Sequence, residues 1–295
     1  MRDSSGGFAL DALAARRAFD KAAALYDEAA VLHRDVRVEL LSRLDLTTLR
    51  PLVILDAGAG TGHASRALRK RYRDAHVIAL DASFGMLREA RRQQGWLKPF
   101  SRLCADAGNL PLKEGSVDLI VSNLMLQWCD PDAVFAEFAR ILKPSGLLAF
   151  TSFGPDTLRE LRESWARVDA GVHVHPFIDM HDLGDALVRS GFADPVLDTE
   201  RYTLEYSTIE DLFKDLKATG ARNADRARRR GLTRPESLAG LKGEYEKLRV
   251  NGRLPATYEV VFAHAWSAPE KRRGSAPNTV SLNEVRTALK RRRPV

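Results

Sequence analysis

Residues 52–62 read LVILDAGAGTG, an apolar run that ends in an acid and opens at once into alternating glycines. A short apolar run with β-branched members, broken by glycine, reads as a buried strand feeding a tight turn and then a helix. Gly58, Gly60 and Gly62 leave the turn without Cβ atoms, so main chain can pass close to a ligand. The helix expected over 64–71 aims its unpaired N–H groups at the same place. A nucleoside-bearing small molecule suits such a turn. The spacing rules out two common alternatives. A dinucleotide turn carries its third glycine three residues after the second, where this chain has His63. A phosphate loop needs Gly-Lys-Ser/Thr, and none follows.

Beyond the turn, strand and helix patterns alternate. Residues 76–80 read as a second strand ending at Asp81, about twenty residues past the glycines, where a carboxylate can accept both hydroxyls of a ribose. Asp81 also suits the N-cap of a helix over 84–92, a role that Ser83 serves equally well. Ala82 and Met86 are small and apolar where an adenine ring would lie. A third strand over 102–105 ends at Asp106, and its carboxylate with the Ala107 N–H offers the acceptor and donor that an adenine edge needs. A fourth strand spans 117–122. Asn123, Leu124, Gln127 and Trp128 follow at its carboxyl end, where ligands of open α/β sheets bind. A helix over 132–142 stops at Lys143-Pro144-Ser145-Gly146, and a fifth strand runs from 146 to 153. The fold class is therefore α/β, a doubly wound, mostly parallel Rossmann-like sheet. Residues 195–204 and 256–266 alternate as two further strands that close the sheet edge and bring the count to seven. Helices are expected over 11–44, 157–168 and 179–192. One folded domain is expected over 11–267, with lid insertions at about 154–180 and 207–255, between a disordered 1–10 and a disordered basic tail over 268–295.

The net charge of +7 is regional. Residues 268–295 hold eight Lys/Arg against two Glu, and residues 209–255 hold twelve basic against seven acidic residues, so the remainder is acidic. No nucleic-acid motif accompanies the basic tail, and nucleic acid is not an expected partner. Neither a signal-like N-terminus nor an apolar run long enough to span a bilayer is present, so no membrane partner is expected. Cys104 and Cys129 fall in apolar segments and imply no disulfide framework, in keeping with a reducing cytoplasm.

Asp-x-Gly-x-Gly-x-Gly over 56–62 resembles the first motif of the class I S-adenosylmethionine-dependent methyltransferases. FDKAAALYDEAA over 19–30 resembles the N-terminal helix that covers the donor in several of them, which implies that Tyr26 faces the donor. The segments SNLMLQW, SFGPDTLREL, HPFIDMHDLGDAL, DLKATGARN and LPATYEVVFAHAW together resemble the malonyl-acyl-carrier-protein O-methyltransferases of biotin synthesis, over roughly 17–266. That resemblance implies methyl transfer from S-adenosylmethionine to the free carboxylate of a malonyl thioester on an acyl-carrier protein. It implies a donor site made of Asp56, Ala57, Gly58, Gly60, Gly62, Asp81, Ala82, Met86, Asp106, Ala107, Asn123 and Leu124. Tyr26, Gln127, Trp128, His173 and His175 are the candidates for shaping the substrate pocket. His173 and His175 stand in H-x-H spacing without a third ligand, so no metal is expected. Carrier proteins of this family are acidic, which makes Lys214, Lys217, Arg222, Arg228, Arg229 and Arg230 the candidate docking residues.

A malonyl carboxylate is already ionised at neutral pH, which accounts for the lack of a catalytic dyad in the sequence. The chain departs from the family pattern at Ala57 and Ala59, where Cys or Leu is common, and at His33, where glutamine is common. A complex I assembly factor that hydroxylates arginine shares the glycine turn and the PATY strand. A methyltransferase fold acting as a scaffold is the third reading, against which the intact glycines, Asp81 and Asp106 argue.

Overall fold

A computed structural model describes residues 10–94, 99–221, 223–225 and 234–269. Strand β1 (Val53–Ala57) is buried at every position after the first, and helices cover both faces of the sheet around it. It is followed by α4 (His63–Arg71), β2 (His76–Asp81), α5 (Phe84–Gln93), β3 (Ser101–Cys104), β4 (Val117–Ser122), α6 (Pro131–Ile141) and β5 (Leu142–Phe153). β6 (Phe192–Tyr206) and β7 (Leu254–Ser267) complete a seven-stranded sheet of order β3-β2-β1-β4-β5-β7-β6. The first five strands pair in parallel; β7 runs antiparallel between β5 and β6. Strand order reverses between β1 and β4, which opens a crevice beyond their carboxyl ends.

Alternate residues of β1 enter opposite cores. Ile54 packs with Leu32, Val36 and Leu40 of α3 (Val31–Arg43), and with Leu68, Leu87 and Ala90 of α4 and α5. Leu55 packs instead with Phe135, Phe138 and Ile141 of α6 and with Leu183 and Leu187 of α8 (Met180–Arg189). A one-residue slip would exchange the two faces, so the register is fixed by burial. α7 (Arg159–Ala166), α9 (Ile209–Ala218) and α10 (Pro235–Glu246) lie on the Ile54 side, packed through Trp165, Leu212, Leu241 and Tyr245.

The expected helix over 11–44 is three: α1 (Ala12–Ala22), α2 (Tyr26–Ala29) and α3. Its alanine periodicity runs through the breaks, but tertiary bonds set them. Asp11 caps α1 by accepting from the Ala14 N–H at 3.0 Å. Asp20 Oδ1 then ties the helix to the start of α5, accepting from Ser83 Oγ at 2.6 Å and from the Gly85 N–H at 2.8 Å. Asp27, in α2, is drawn to the glycine turn by Thr61 Oγ1 at 2.6 Å. The fifth strand also starts earlier than expected: α6 stops at Ile141 and the chain passes straight into β5, with Ser145 at φ 60°. No helix among the described residues is long and apolar enough to cross a membrane. The expectations for 1–9 and 270–295 lie outside the described residues.

Candidate functional site

The crevice holds a two-lobed cavity. The larger lobe, about 390 Å³, is floored by Gly58, Gly60, Leu80 and Asp81, flanked by Ala82, Met86, Asp106 and Ala107, and closed by Ala12, Arg16 and Phe19 of α1. The smaller lobe, about 240 Å³, lies between the glycine turn and α3, and is lined by Asp56, Thr61, His63, His33 and Arg37. Tyr26, Gly58, Gly60 and Asn123 line both.

The glycine turn is fixed from β2. The N–H groups of Gly58 and Ala59 both donate to the Leu80 carbonyl at 2.8 Å. Gly58 sits at φ 74°, and a Cβ there would lie 2.6 Å from Cβ of Met125, so only glycine fits. Asp81 holds the next step: its Oδ2 accepts from the Gly60 N–H at 2.9 Å and its Oδ1 from the Ser83 N–H at 2.8 Å. Ser83 caps α5 by accepting from the Met86 N–H at 3.2 Å. Ser83 rather than Asp81 is therefore the cap of α5, and Asp81 lines the larger lobe. Burial pushes its carboxyl up to about 6, against the pull of its two N–H donors. Asp106 accepts from the Gly108 N–H at 2.8 Å and lines the same lobe 25 residues further along.

Beyond β4 the backbone turns sharply at Leu124, φ 51°, a left-handed conformation unusual for a side chain of this size. Its N–H is held by Thr151 Oγ1 at 3.0 Å, and Thr151 Oγ1 in turn donates to Asn123 Oδ1 at 3.1 Å. Asn123 Nδ2 donates to the His33 carbonyl at 3.1 Å, joining β4 to α3. Trp128 closes the larger lobe, edge-on to Phe19 with centroids 5.3 Å apart. Tyr26 is half-buried between the lobes, and desolvation with the nearby Asp81 and Asp27 charges holds its phenol well above the usual range, as a neutral hydroxyl.

Nine of the twelve expected donor residues line the larger lobe, as do Tyr26 and Trp128. The other three stand elsewhere. Asp56 faces the smaller lobe and accepts from Ser65 Oγ, and burial pushes its carboxyl up to about 6. Ala57 is fully buried in the core, and Gly62 serves packing: a Cβ there would lie 2.9 Å from the Phe100 ring. Three expected substrate residues line neither lobe. Gln127 is buried and turns its Nε2 onto the Leu124 carbonyl at 2.6 Å, which braces the turn. His173 stacks on Trp165 at 3.6 Å and bonds Asp169 at 2.7 Å. His175 is buried between Trp128 and Phe177, behind the cavity wall. Lys214 and Lys217 are exposed on α9, whereas Arg222, Arg228, Arg229 and Arg230 lie outside the described residues. Sequence reasoning missed Arg16, Phe19 and Arg37. Their one signal was a polar or aromatic residue on the inner face of a helix already known to cover the crevice.

The family described as "Methyltransferase domain" matches residues 55–150, the stretch that carries β1 to β5 and most of the cavity floor. A solved structure from Bacillus halodurans C-125 shares the fold at a TM-score of 0.57 with 17% identity, over 78% of this chain and 99% of that one. Fold and site together define a methyltransferase of the Rossmann-like class. Two relatives narrow the class. Malonyl-[acyl-carrier protein] O-methyltransferase of Methylovorus sp. is 49% identical over 89% of this chain and 91% of its own length. Its counterpart in Laribacter hongkongensis is 50% identical over 88% and 90%. The chain belongs to the malonyl-[acyl-carrier protein] O-methyltransferase family.

Proposed function

We propose that this protein methylates the free carboxylate of a malonyl thioester carried on acyl-carrier protein, with S-adenosylmethionine as donor. The observation that carries the reading is the lining of the larger lobe, which brings the carboxylates of Asp81 and Asp106 into one cavity with the apolar Ala82 and Met86. That is the complement of a ribose diol and an adenine edge on either side of a flat ring. Gly60 supports the fit, since a Cβ there would meet no protein atom within 4 Å and would stand in open space beside both lobes. When bound, the donor supplies an electrophilic methyl on a sulfonium.

The remaining work falls to the chain's own residues. The malonyl carboxylate is ionised at neutral pH and needs no base, and the neutral Tyr26 phenol is placed to orient an oxygen rather than to take a proton. The glycine turn, Asp81 and Asp106 would hold the donor, and the acceptor carboxylate, set in line by the cavity wall, would take up the methyl it supplies. Opposite charges vanish in this step, so a wall of Phe19, Tyr26 and Trp128 that displaces water favours it. In-line placement of the two reactants contributes up to about 7–11 kcal/mol in well-oriented systems. α7 and the segment around α9 and α10 serve as the lid of the substrate side, and exposed Lys214 and Lys217 meet the acidic carrier. The relatives' names favour this reading over arginine hydroxylation or a scaffold role.

Mass spectrometry of malonyl-acyl-carrier protein after incubation with the protein and S-adenosylmethionine tests it. A gain of one CH2 on the malonyl group is the expected result. No gain, with donor binding shown by calorimetry, would overturn the substrate assignment.

A further inference from the structure

The turn after β4 is held in a conformation that its own residue type resists. Leu124 sits at φ 51°, where its Cβ crowds the backbone and no glycine relieves the strain. Two side chains hold it there. The Leu124 N–H is shared between Thr151 Oγ1 at 3.0 Å and the Thr151 carbonyl at 3.2 Å, and the Leu124 carbonyl accepts from Gln127 Nε2 at 2.6 Å. Thr151 Oγ1 gives its own hydrogen to Asn123 Oδ1 at 3.1 Å, and Asn123 Nδ2 donates to the His33 carbonyl.

Thr151 and Gln127 stand where apolar residues would serve the core better. Thr151 is wholly buried on β5, and Gln127 is 1% exposed. A buried hydroxyl or amide lowers stability unless it is fully bonded, and Gln127 Oε1 finds no partner among the described residues. Valine and methionine would fill similar space without that cost. The bonds that Thr151 Oγ1 and Gln127 Nε2 make run only to residues 123 and 124, so the turn accounts for both side chains.

What the turn places is one wall of the larger lobe. After Leu124 the chain carries Met125 against the glycine turn, its Cβ 2.6 Å from where a Cβ of Gly58 would stand. A short 3-10 segment, Leu126–Trp128, then sets the indole edge-on to Phe19. Relaxing Leu124 to an ordinary φ would rotate the backbone by about 110° and draw Met125 and Trp128 out of these contacts.

We propose that Thr151 and Gln127 are positioning residues for methyl transfer: they hold Leu124 in its left-handed conformation and so fix the Trp128 wall against the glycine turn. Neither side chain lines the cavity, and each acts through the turn. The proposal rests on the methyl-transfer reading, which makes the spacing of these two walls the quantity that sets acceptor against donor.

Thr151→Val keeps the side chain's shape and removes only the hydroxyl; the Leu124 N–H retains the carbonyl bond, which favours folding. Turnover of malonyl-acyl-carrier protein, S-adenosylhomocysteine calorimetry and amide hydrogen exchange over 123–128 are read on the same protein. The expected result is a kcat lowered about 10–100-fold, the scale on which misplaced reactants are felt, with exchange over 123–128 about 10-fold faster. S-adenosylhomocysteine affinity stays within about threefold, since Asp81 and Asp106 are untouched, and Thr151→Ser, which restores the hydroxyl, recovers most of the loss. Gln127→Met moves kcat and exchange in the same direction, and carries the test alone if the valine variant does not fold. A folded variant in which either kcat or exchange stays within about twofold of wild type overturns the proposal. So does a Thr151→Ser protein as slow as the valine variant, or a loss of S-adenosylhomocysteine affinity as large as the loss in kcat. Wild-type protein that binds S-adenosylhomocysteine yet leaves malonyl-acyl-carrier protein unmodified would refute the substrate assignment alone, and the exchange comparison would still decide whether the two side chains hold the turn.

Discussion

Gly58 and Gly60 both sit at positive φ, 74° and 53°, two residues apart in one turn, yet the structure gives them different tasks. Alanine at either position meets the left-handed backbone penalty, about 1–2 kcal/mol. At Gly58 the new methyl would also lie 2.6 Å from Met125 Cβ and 2.7 Å from its Cγ. The Cβ is tied to the backbone and cannot swing aside, so the turn after β4 has to shift, which adds about 1–3 kcal/mol of overpacking. At Gly60 nothing lies within 4 Å, and the methyl projects beside both lobes. Gly58→Ala should therefore lower stability by about 2–5 kcal/mol, and Gly60→Ala by about 1–2 kcal/mol. Affinity should order them oppositely with respect to stability: Gly60→Ala should lose at least about 10-fold in S-adenosylhomocysteine binding while remaining well folded. Urea unfolding gives the first quantity and calorimetry the second. Equal stability losses would mean that Met125 relaxes freely. Wild-type affinity in Gly60→Ala would mean that no ligand passes that glycine.

Asp81→Ala removes the acceptor of two backbone N–H groups and, on the proposed reading, of the ribose hydroxyls; S-adenosylhomocysteine affinity should fall about 10–100-fold with an unchanged circular dichroism spectrum, and unchanged affinity would reject the ribose role. Burial raises the folded-state Asp56 carboxyl to about 6 from an ordinary value near 3.8. A raised folded value means stabilisation that is complete below pH ~4 and lost as pH rises through 6. Asp56→Asn should thus gain on wild type between pH 4 and 7 in urea midpoints, and a pH-independent difference would refute the assignment. Lys214→Glu with Lys217→Glu should raise KM for malonyl-acyl-carrier protein several-fold, less so at high salt, without moving S-adenosylhomocysteine affinity; a salt-independent or absent effect would remove α9 from the docking surface.

The parts of the fold that were legible in the sequence are those whose cause is local. Alternation of apolar runs with helical spacing marks β1 to β5, and a positive φ at Gly58 and Gly60 demands the residues seen there. Asp81 and Asp106 were legible because strand ends set their positions. What could not be read depends on partners far along the chain. The breaks between α1, α2 and α3 are set by Ser83, Gly85 and Thr61, each more than thirty residues away. His173 looked like a pocket residue from its loop, but Trp165 offers it a stacking face. Arg37 reads in the sequence as one more charge on α3; its place in the lining of the smaller lobe depends on how α3 lies against the glycine turn, which no spacing rule reveals.

α1 forms one wall of the larger lobe, and everything that holds it is made later in synthesis. Asp20 waits for Ser83 and Gly85, Leu10 pairs with Asp225, and Phe19 packs against Trp128 and the backbone at Gly220. The segment meets its first partners, Ser83 and Gly85, 63 and 65 residues after Asp20, but its full set only once more than two hundred residues have followed it. It is then among the last pieces to settle, and the nascent chain lacks a complete binding chamber until its far end has emerged.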